Sequence, residues 1–214
     1  MSRDNANSGG AVVPGKTVPG LLIVIAGPSG AGKDSLLSYA QKVLEAESGL
    51  LFVRRVITRQ PDGETEDHDS LTPSEFLAVE QQGLFAVTWE AHGLRYGVPS
   101  SALQHVSAGG TAVLNGSRSA LPAIRAAFPS VTGILVTARP EILAARLAGR
   151  RRESAEEIVE RLGRTISADD NMAYVIENND KLETAGERLA GLIQALAGNR
   201  EHALSGDKAE IVPV

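Results

Sequence analysis

Along this chain the apolar positions fall into blocks whose period switches between two and about 3.6, as expected of strands alternating with helices. Leu21–Ala26 (LLIVIA) is an unbroken apolar run, the form taken by a strand covered on both faces of a parallel sheet. A helical pattern begins near Ser35 and puts Leu36, Leu37, Ala40, Val43 and Leu44 on one face; Ser48-Gly49 is its predicted end. Residues 51–57 (LFVRRVI) predict a second strand, and the polar, acidic run 60–71 predicts a loop. Thr72-Pro73-Ser74-Glu75 has the form of a capping box with proline at the first helical position. The helix it opens is predicted to turn Phe76, Leu77 and Val79 inward and to stop at Gly83.

Residues 84–90 read as a strand, residues 92–97 (HGLRYG) as a hairpin turn, and a short helix follows Pro99 up to Gly109-Gly110. Thr111–Asn115 and Val131–Thr137 are predicted strands, with a helix over 119–128 between them. Pro140 opens a helix that Gly149 breaks, and Ser154-Ala155-Glu156-Glu157 is a second capping box whose helix runs through Leu162. Tyr174–Glu177 is the last strand, followed by an amphipathic helix to about Ala197. The pattern is α/β, one parallel sheet with a strand-rich insertion at about 58–108. Residues 1–19 read as a flexible leader, 20–198 as a single domain and 199–214 as a loose tail.

The first strand is followed by Gly27-Pro28-Ser29-Gly30-Ala31-Gly32-Lys33, a match to GxxxxGK, and then by the first helix. Strand, glycine loop and helix in that order form the context of a phosphate-binding P-loop. The backbone N–H groups and the helix's positive end face the phosphates, and Lys33 reaches the β- and γ-phosphates. Where the motif carries Ser or Thr after the lysine, this chain has Asp34, followed by Ser35. Ligands of such sheets lie beyond the carboxyl ends of the strands. There the chain places Thr58-Arg59, Asn115 to Arg118 and Asn178-Asn179.

Composition narrows the classes. A net charge of −5 argues against a general nucleic-acid or membrane-surface binder, and no apolar run reaches the length of a membrane span. With no cysteine, thiolate catalysis and cysteine metal sites are excluded. The polar, glycine-rich N-terminus lacks the apolar segment of a secretory signal, so a cytoplasmic protein is expected. Arg150, Arg151 and Arg152 stand between two helices, with Arg146 a turn before and Arg161 later. They fit either a solvated helix end or a lid of about 146–161 that neutralises a transferring phosphoryl group. Glu64, Glu66, Asp67 and Asp69 around His68 fit an acidic surface loop, a metal cluster, or carboxylates accepting hydrogen bonds from sugar hydroxyls. His92 is either a turn residue or faces a ligand, and Trp89 is expected to pack.

Taken together, the P-loop, Thr58-Arg59-Gln60-Pro61, the insertion and the arginine cluster resemble the guanylate kinase family over about residues 20–197. The resemblance implies a P-loop kinase fold: a central parallel sheet flanked by helices, an inserted acceptor-binding lobe and an arginine lid. It implies that Gly27 to Ser35, Arg150 and Asn178 bind ATP and that Lys33, Arg150 and Arg161 are catalytic. Asp34 departs from the motif's hydroxyl, while Asn115 replaces the acidic strand end; Asp34 fits either a carboxylate moved onto the loop to serve Mg²⁺ or a residue favouring the helix N-terminus. The resemblance also implies that Arg59 and Tyr96 hold an acceptor phosphate. The departures are specific: Asp62, His68 and Val87 stand where the family has a second arginine, a tyrosine and the guanine-reading glutamate. Asn115-Gly116-Ser117 replaces its D-x-D. Together with GPSGAGKDS, RRVITR, the ED-H loop, W-x-AHGL-x-YG and NGSR, these resemble one branch, the ribose 1,5-bisphosphate phosphokinases of phosphonate degradation. That branch implies a sugar-phosphate acceptor held by Arg59, Glu64, Asp67, His68, His92, Tyr96, Ser117 and Arg118. Two alternatives remain at this level: a guanylate kinase, which needs the missing guanine contacts, and a non-catalytic binding module, which has no use for the P-loop and lid arginines.

Overall fold

The computed structural model describes residues 20–59, 68–91, 93–148 and 172–205, the last seven of these by their backbone alone. In order these form β1 (Leu21–Ala26), α1 (Lys33–Val43), β2 (Leu50–Val53), β3 (Arg55–Ile57) and β4 (His68–Ser70). Then come α2 (Pro73–Gln81), β5 (Phe85–Ala91), β6 (Leu94–Pro99), α3 (Ser100–Ser107) and β7 (Thr111–Asn115). A 3₁₀ turn at Arg118–Ala120 leads into α4 (Leu121–Ala127), followed by β8 (Val131–Thr137), α5 (Pro140–Ala148), β9 (Tyr174–Glu177) and α6 (Leu182–Ser205).

The larger sheet is parallel throughout, in the order β2-β7-β1-β8-β9. β1 lies at its centre with all six residues buried, which is why its sequence shows no alternation. Ile23 and Ile25 pack into a core with Leu36 and Ala40 of α1, Leu143 of α5 and Leu189 of α6. Leu22 and Val24 face the opposite layer, with Ala102 and Val106 of α3 and Ile124 of α4. Helices therefore cover both faces and leave the carboxyl ends of the strands as the open edge.

The predicted strand over 51–57 divides. β2 pairs with β7 in the parallel sheet, whereas β3 joins a second sheet of order β4-β3-β6-β5. The two arginines are the joint. Arg54 turns out to an ion pair with Asp69 at 2.8 Å, and Arg55 turns in. The same ion pair accompanies a strand at His68–Ser70, where the sequence predicts loop: β3 supplies a parallel ladder to a segment without alternation of its own. In the hairpin, Leu94 to Gly97 belong to β6 rather than to the turn, which Gly93 makes with a φ of 73°.

α1 stops at Val43, ahead of Ser48-Gly49, and Val43 is 55% exposed instead of lying on the core stripe. In α2 Phe76 is buried and Val79 half-buried, but Leu77 is 45% exposed; a step of about 100° per residue carries it off the Phe76–Val79 face. α6 continues to Ser205, so 199–205 is helix and not tail. The second capping box and its helix, the leader and residues 206–214 lie outside the described residues.

The first capping box is complete: Glu75 N–H donates to Thr72 Oγ1, and Thr72 N–H donates to Glu75 Oε2 at 2.8 Å. The bonds from the Thr72 backbone and hydroxyl hold the Glu75 carboxyl below its usual range. A lowered carboxyl pKa means this contact is present at neutral pH and is lost as the pH falls through that lowered value. Thr72→Ala is expected to cost about 1 kcal/mol of stability, read as a shift of the denaturant midpoint with an unchanged slope.

Candidate active site

The loop after β1 lies across the carboxyl end of the parallel sheet. Gly32 caps α1 with a φ of 84°, a conformation that side chains disfavour. A Cβ at Gly32 would stand 2.5 Å from Asn178 Nδ2, and one at Gly27 would strike the Val136 carbonyl. The loop is thus wedged between its own helix and the ends of β8 and β9. Lys33 Nζ folds back to donate to the carbonyls of Gly27 (3.0 Å) and Pro28 (3.1 Å). Ser29, Gly30, Gly32, Lys33, Asp34 and Ser35 line a cleft of about 480 Å³ whose far wall includes Arg146, Asn178 and Asp180. Its size, its cation and its position at a helix N-terminus suit a polyphosphate.

Two residues of the far wall reach the loop directly. Asn178 is 2% exposed and donates Nδ2–H to the Ala31 carbonyl at 2.9 Å. Its own N–H bonds the Thr137 carbonyl, fixing the end of β9 to β8. Asn178 therefore buttresses the P-loop backbone as well as lining the cleft. Arg146 of α5 extends Nη1 to the Gly30 carbonyl at 3.5 Å. The sequence groups it with the arginine cluster, and the structure brings it to the P-loop.

On the other side of the loop, Asn115 at the end of β7 donates Nδ2–H to Asp34 Oδ1 at 2.6 Å. The carboxylate in the unusual P-loop position is thus held by the very residue that ends the neighbouring strand. Among the described residues no three His, Cys, Asp or Glu side chains gather as a metal cage. One oriented carboxylate still fits Mg²⁺, which keeps several waters and takes most remaining ligands from phosphate oxygens.

The second sheet stands over this edge. Its register puts Arg55 and Ile57, His68 and Ser70, Val87 and Trp89, and Tyr96 and Val98 on one face. Val98, Val87 and Trp89 pack toward the core beneath α3 and α4. Tyr96 stacks on Trp89, with ring centroids 5.2 Å apart and planes at 6°, and the Arg55 guanidinium lies 5.2 Å from the Tyr96 centroid. Arg55 is 9% exposed and donates Nη1–H to the Asn115 carbonyl at 2.8 Å, tying the two sheets together. In the sequence it stands only as part of the RRVITR strand motif, with no role of its own; the charge doublet inside an otherwise apolar strand is the signal that marks it.

Of the other anticipated residues, Arg59 follows β3 and His68 lies beside Arg55 in the ladder. Ser117 shares a hydroxyl contact of 2.8 Å with Ser119, and Arg118 opens the 3₁₀ turn beyond β7. Arg59, Ser117 and Arg118 thus follow β3 and β7, the two strands that Arg55 ties together through Asn115. Glu64, Asp67, His92, Arg150 and Arg161 lie outside the described residues.

The family model for guanylate kinase matches residues 20–196. The chain is 43% identical to the ribose 1,5-bisphosphate phosphokinase PhnN of Agrobacterium fabrum over 84% of its length and 100% of that protein's. It is 44% identical to the protein of the same name from Burkholderia mallei, over 82% of this chain and 96% of the relative. Among solved structures, a guanylate kinase from Anaplasma phagocytophilum superposes with a TM-score of 0.57 at 24% identity, covering 84% of this chain and 87% of the other.

Proposed function

The chain belongs to the guanylate kinase family, and we propose that its reaction is the phosphorylation of ribose 1,5-bisphosphate by ATP. The γ-phosphoryl group passes to the 1-phosphate, giving 5-phosphoribosyl 1-diphosphate and ADP. The observation that carries this reading is the inner face of the second sheet. It presents Arg55, Tyr96, Trp89 and Val87, with no carboxylate among its described residues to pair with a purine's N–H groups. The full-length identity to ribose 1,5-bisphosphate phosphokinases supports the same choice.

The acceptor needs no general base. With a second pKa of about 6, a phosphate monoester is mostly dianionic at pH 7 and is already nucleophilic. What the reaction requires is that two phosphate-rich anions be held in line and their developing charge neutralised. The P-loop backbone and Lys33 hold the β- and γ-phosphates, and Arg146 and Asn178 shape the cleft beside them. Asp34, oriented by Asn115, would hold Mg²⁺. Bound there, Mg²⁺ would supply neutralisation of the charge on the phosphates. Arg59 and Tyr96 receive the acceptor's reacting phosphate, with Arg118 at the sugar-phosphate side. Arg150 and Arg161, which match the family's lid arginines in sequence, would meet the charge of the transferring group.

The direct test is product formation from ATP, Mg²⁺ and ribose 1,5-bisphosphate, followed by phosphorus NMR. Appearance of a pyrophosphoryl doublet pair at the anomeric position supports the reading; ATP turnover without it ends the reading. For the lid, Arg150→Ala and Arg161→Ala are each expected to lower kcat on the order of 10² with little change in ATP affinity, because the charge they meet is greatest in the transition state. Steady-state kinetics in both variants checks this. Unchanged kcat returns both arginines to ordinary surface charge.

A further inference from the structure

β3 ends at Ile57, and the bonds made by the next residue show how. In the β3–β6 ladder Val56 lies opposite Gly97 and Ile57 opposite Tyr96, so Thr58 comes opposite Arg95. A hydrogen-bonded antiparallel pair exchanges two bonds, each N–H going to the other residue's carbonyl. Thr58 N–H does donate to the Arg95 carbonyl, at 3.0 Å. The return bond differs: Arg95 N–H donates to Thr58 Oγ1 at 2.9 Å. The hydroxyl thus takes the place of Thr58's own carbonyl, and the ladder closes on a side chain. The backbone bends at Thr58 and Arg59 while Thr58 stays fixed to β6. The β6 side of this clip is itself secured. Arg95 places Nη2 3.0 Å from Glu80 Oε2 and its guanidinium 5.1 Å from the Phe76 centroid, both on α2. The other Glu80 oxygen accepts the hydroxyl of Thr88, on β5, at 2.8 Å.

The clip stands next to both groups that the proposed reaction sets on the acceptor's reacting phosphate. Arg59 follows Thr58, and Tyr96 follows Arg95. Tyr96 is also held by its stack on Trp89, so the clip fixes the start of Arg59 against a rigid neighbour. We infer that Thr58 is a positioning residue for the acceptor. Its hydroxyl, standing in for a ladder carbonyl, sets the point at which the chain turns out of the sheet and so places Arg59 beside Tyr96. This inference rests on the function proposed above. A binding group is only as precise as the neighbours that hold it, and a displacement of about 1 Å at a reacting centre can cost about 10²-fold. Serine at this position keeps the hydroxyl. Valine keeps the branched shape and the strand preference but offers Arg95 no acceptor.

The test separates the two substrates. Wild type, Thr58→Val, Thr58→Ala and Thr58→Ser are assayed with ribose 1,5-bisphosphate and ATP varied independently. Rates are expressed per folded protein, with the folded fraction read by circular dichroism. Thr58→Val is expected to lower kcat/KM for ribose 1,5-bisphosphate about 30-fold, while the KM for ATP stays within about twofold of the wild type. Thr58→Ser should stay within about threefold of the wild type on both substrates. Thr58→Ala removes the hydroxyl without setting a methyl against the Arg95 N–H, and it decides the matter if the valine variant does not fold. Losses that vanish once rates are expressed per folded protein make the hydroxyl a local stabiliser and overturn the inference while the function stands. The same holds if neither the valine nor the alanine variant folds, or if serine loses as much as valine. A matching rise in the KM for ATP also overturns it, because the effect would then not belong to the acceptor. No turnover of ribose 1,5-bisphosphate by the wild type removes the function and the inference together.

Discussion

GMP is expected to be a poorer acceptor than ribose 1,5-bisphosphate by a factor on the order of 10⁴ in kcat/KM. Guanine carries N1–H and N2–H donors that need a carboxylate or carbonyl when buried. In this chain Val87 stands on the strand from which the family's glutamate reads the base, and it is half-buried with Trp89 against the core. A base placed there would leave two donors without acceptors, each costing about 1–3 kcal/mol. Competition kinetics with both acceptors and a common ATP pool reads the ratio directly. Comparable turnover of the two would mean that the base is bound elsewhere and that the second sheet does not select the acceptor.

The parallel sheet and the P-loop were legible because their signals are local: an apolar run, a glycine pattern and a helix start within a dozen residues. Asp34 was likewise visible as a departure from the motif, and Asn115 as a departure at a strand end. That the two touch follows from β1 and β7 being neighbours in register, Ile25 opposite Asn115, which no local pattern encodes. The division at Arg54 and Arg55 was not legible for a related reason. A strand that changes sheets keeps its local alternation, and only the partner strands, β7 on one side and β6 on the other, reveal the change. β4 is strand by virtue of β3 alone. Arg55 was missed because burying an arginine runs against its propensity, and the features that favour it, a carbonyl from β7 and a ring from β6, are distant in sequence.

Asp34→Asn is expected to reduce kcat on the order of 10³, the upper end for one preorganised charge at a phosphoryl-transfer site, and to raise the Mg²⁺ requirement strongly. The substitution preserves volume and the helix start but removes the carboxylate next to Lys33, leaving Asp180 on the far wall of the cleft. An alternative role exists, since a carboxylate in the first turn of α1 favours the helix dipole. That role is worth only about 0.3–1 kcal/mol of stability and none of the metal dependence. The contact with Asn115 offers a sharper discrimination than either single variant. In most P-loop kinases the pair is a hydroxyl on the loop and a carboxylate on the strand. Here the carboxylate is on the loop and an amide is on the strand, joined by one hydrogen bond of 2.6 Å. Asn115→Asp added to Asp34→Asn returns the charge to the strand side of the same contact. If the carboxylate serves the metal, this double variant recovers a large part of kcat and of Mn²⁺ binding in the presence of nucleotide, measured by electron paramagnetic resonance. A helix-dipole role predicts no recovery, because the strand residue lies off the helix start. Unchanged activity and Mg²⁺ dependence in Asp34→Asn alone would already place the metal on other groups.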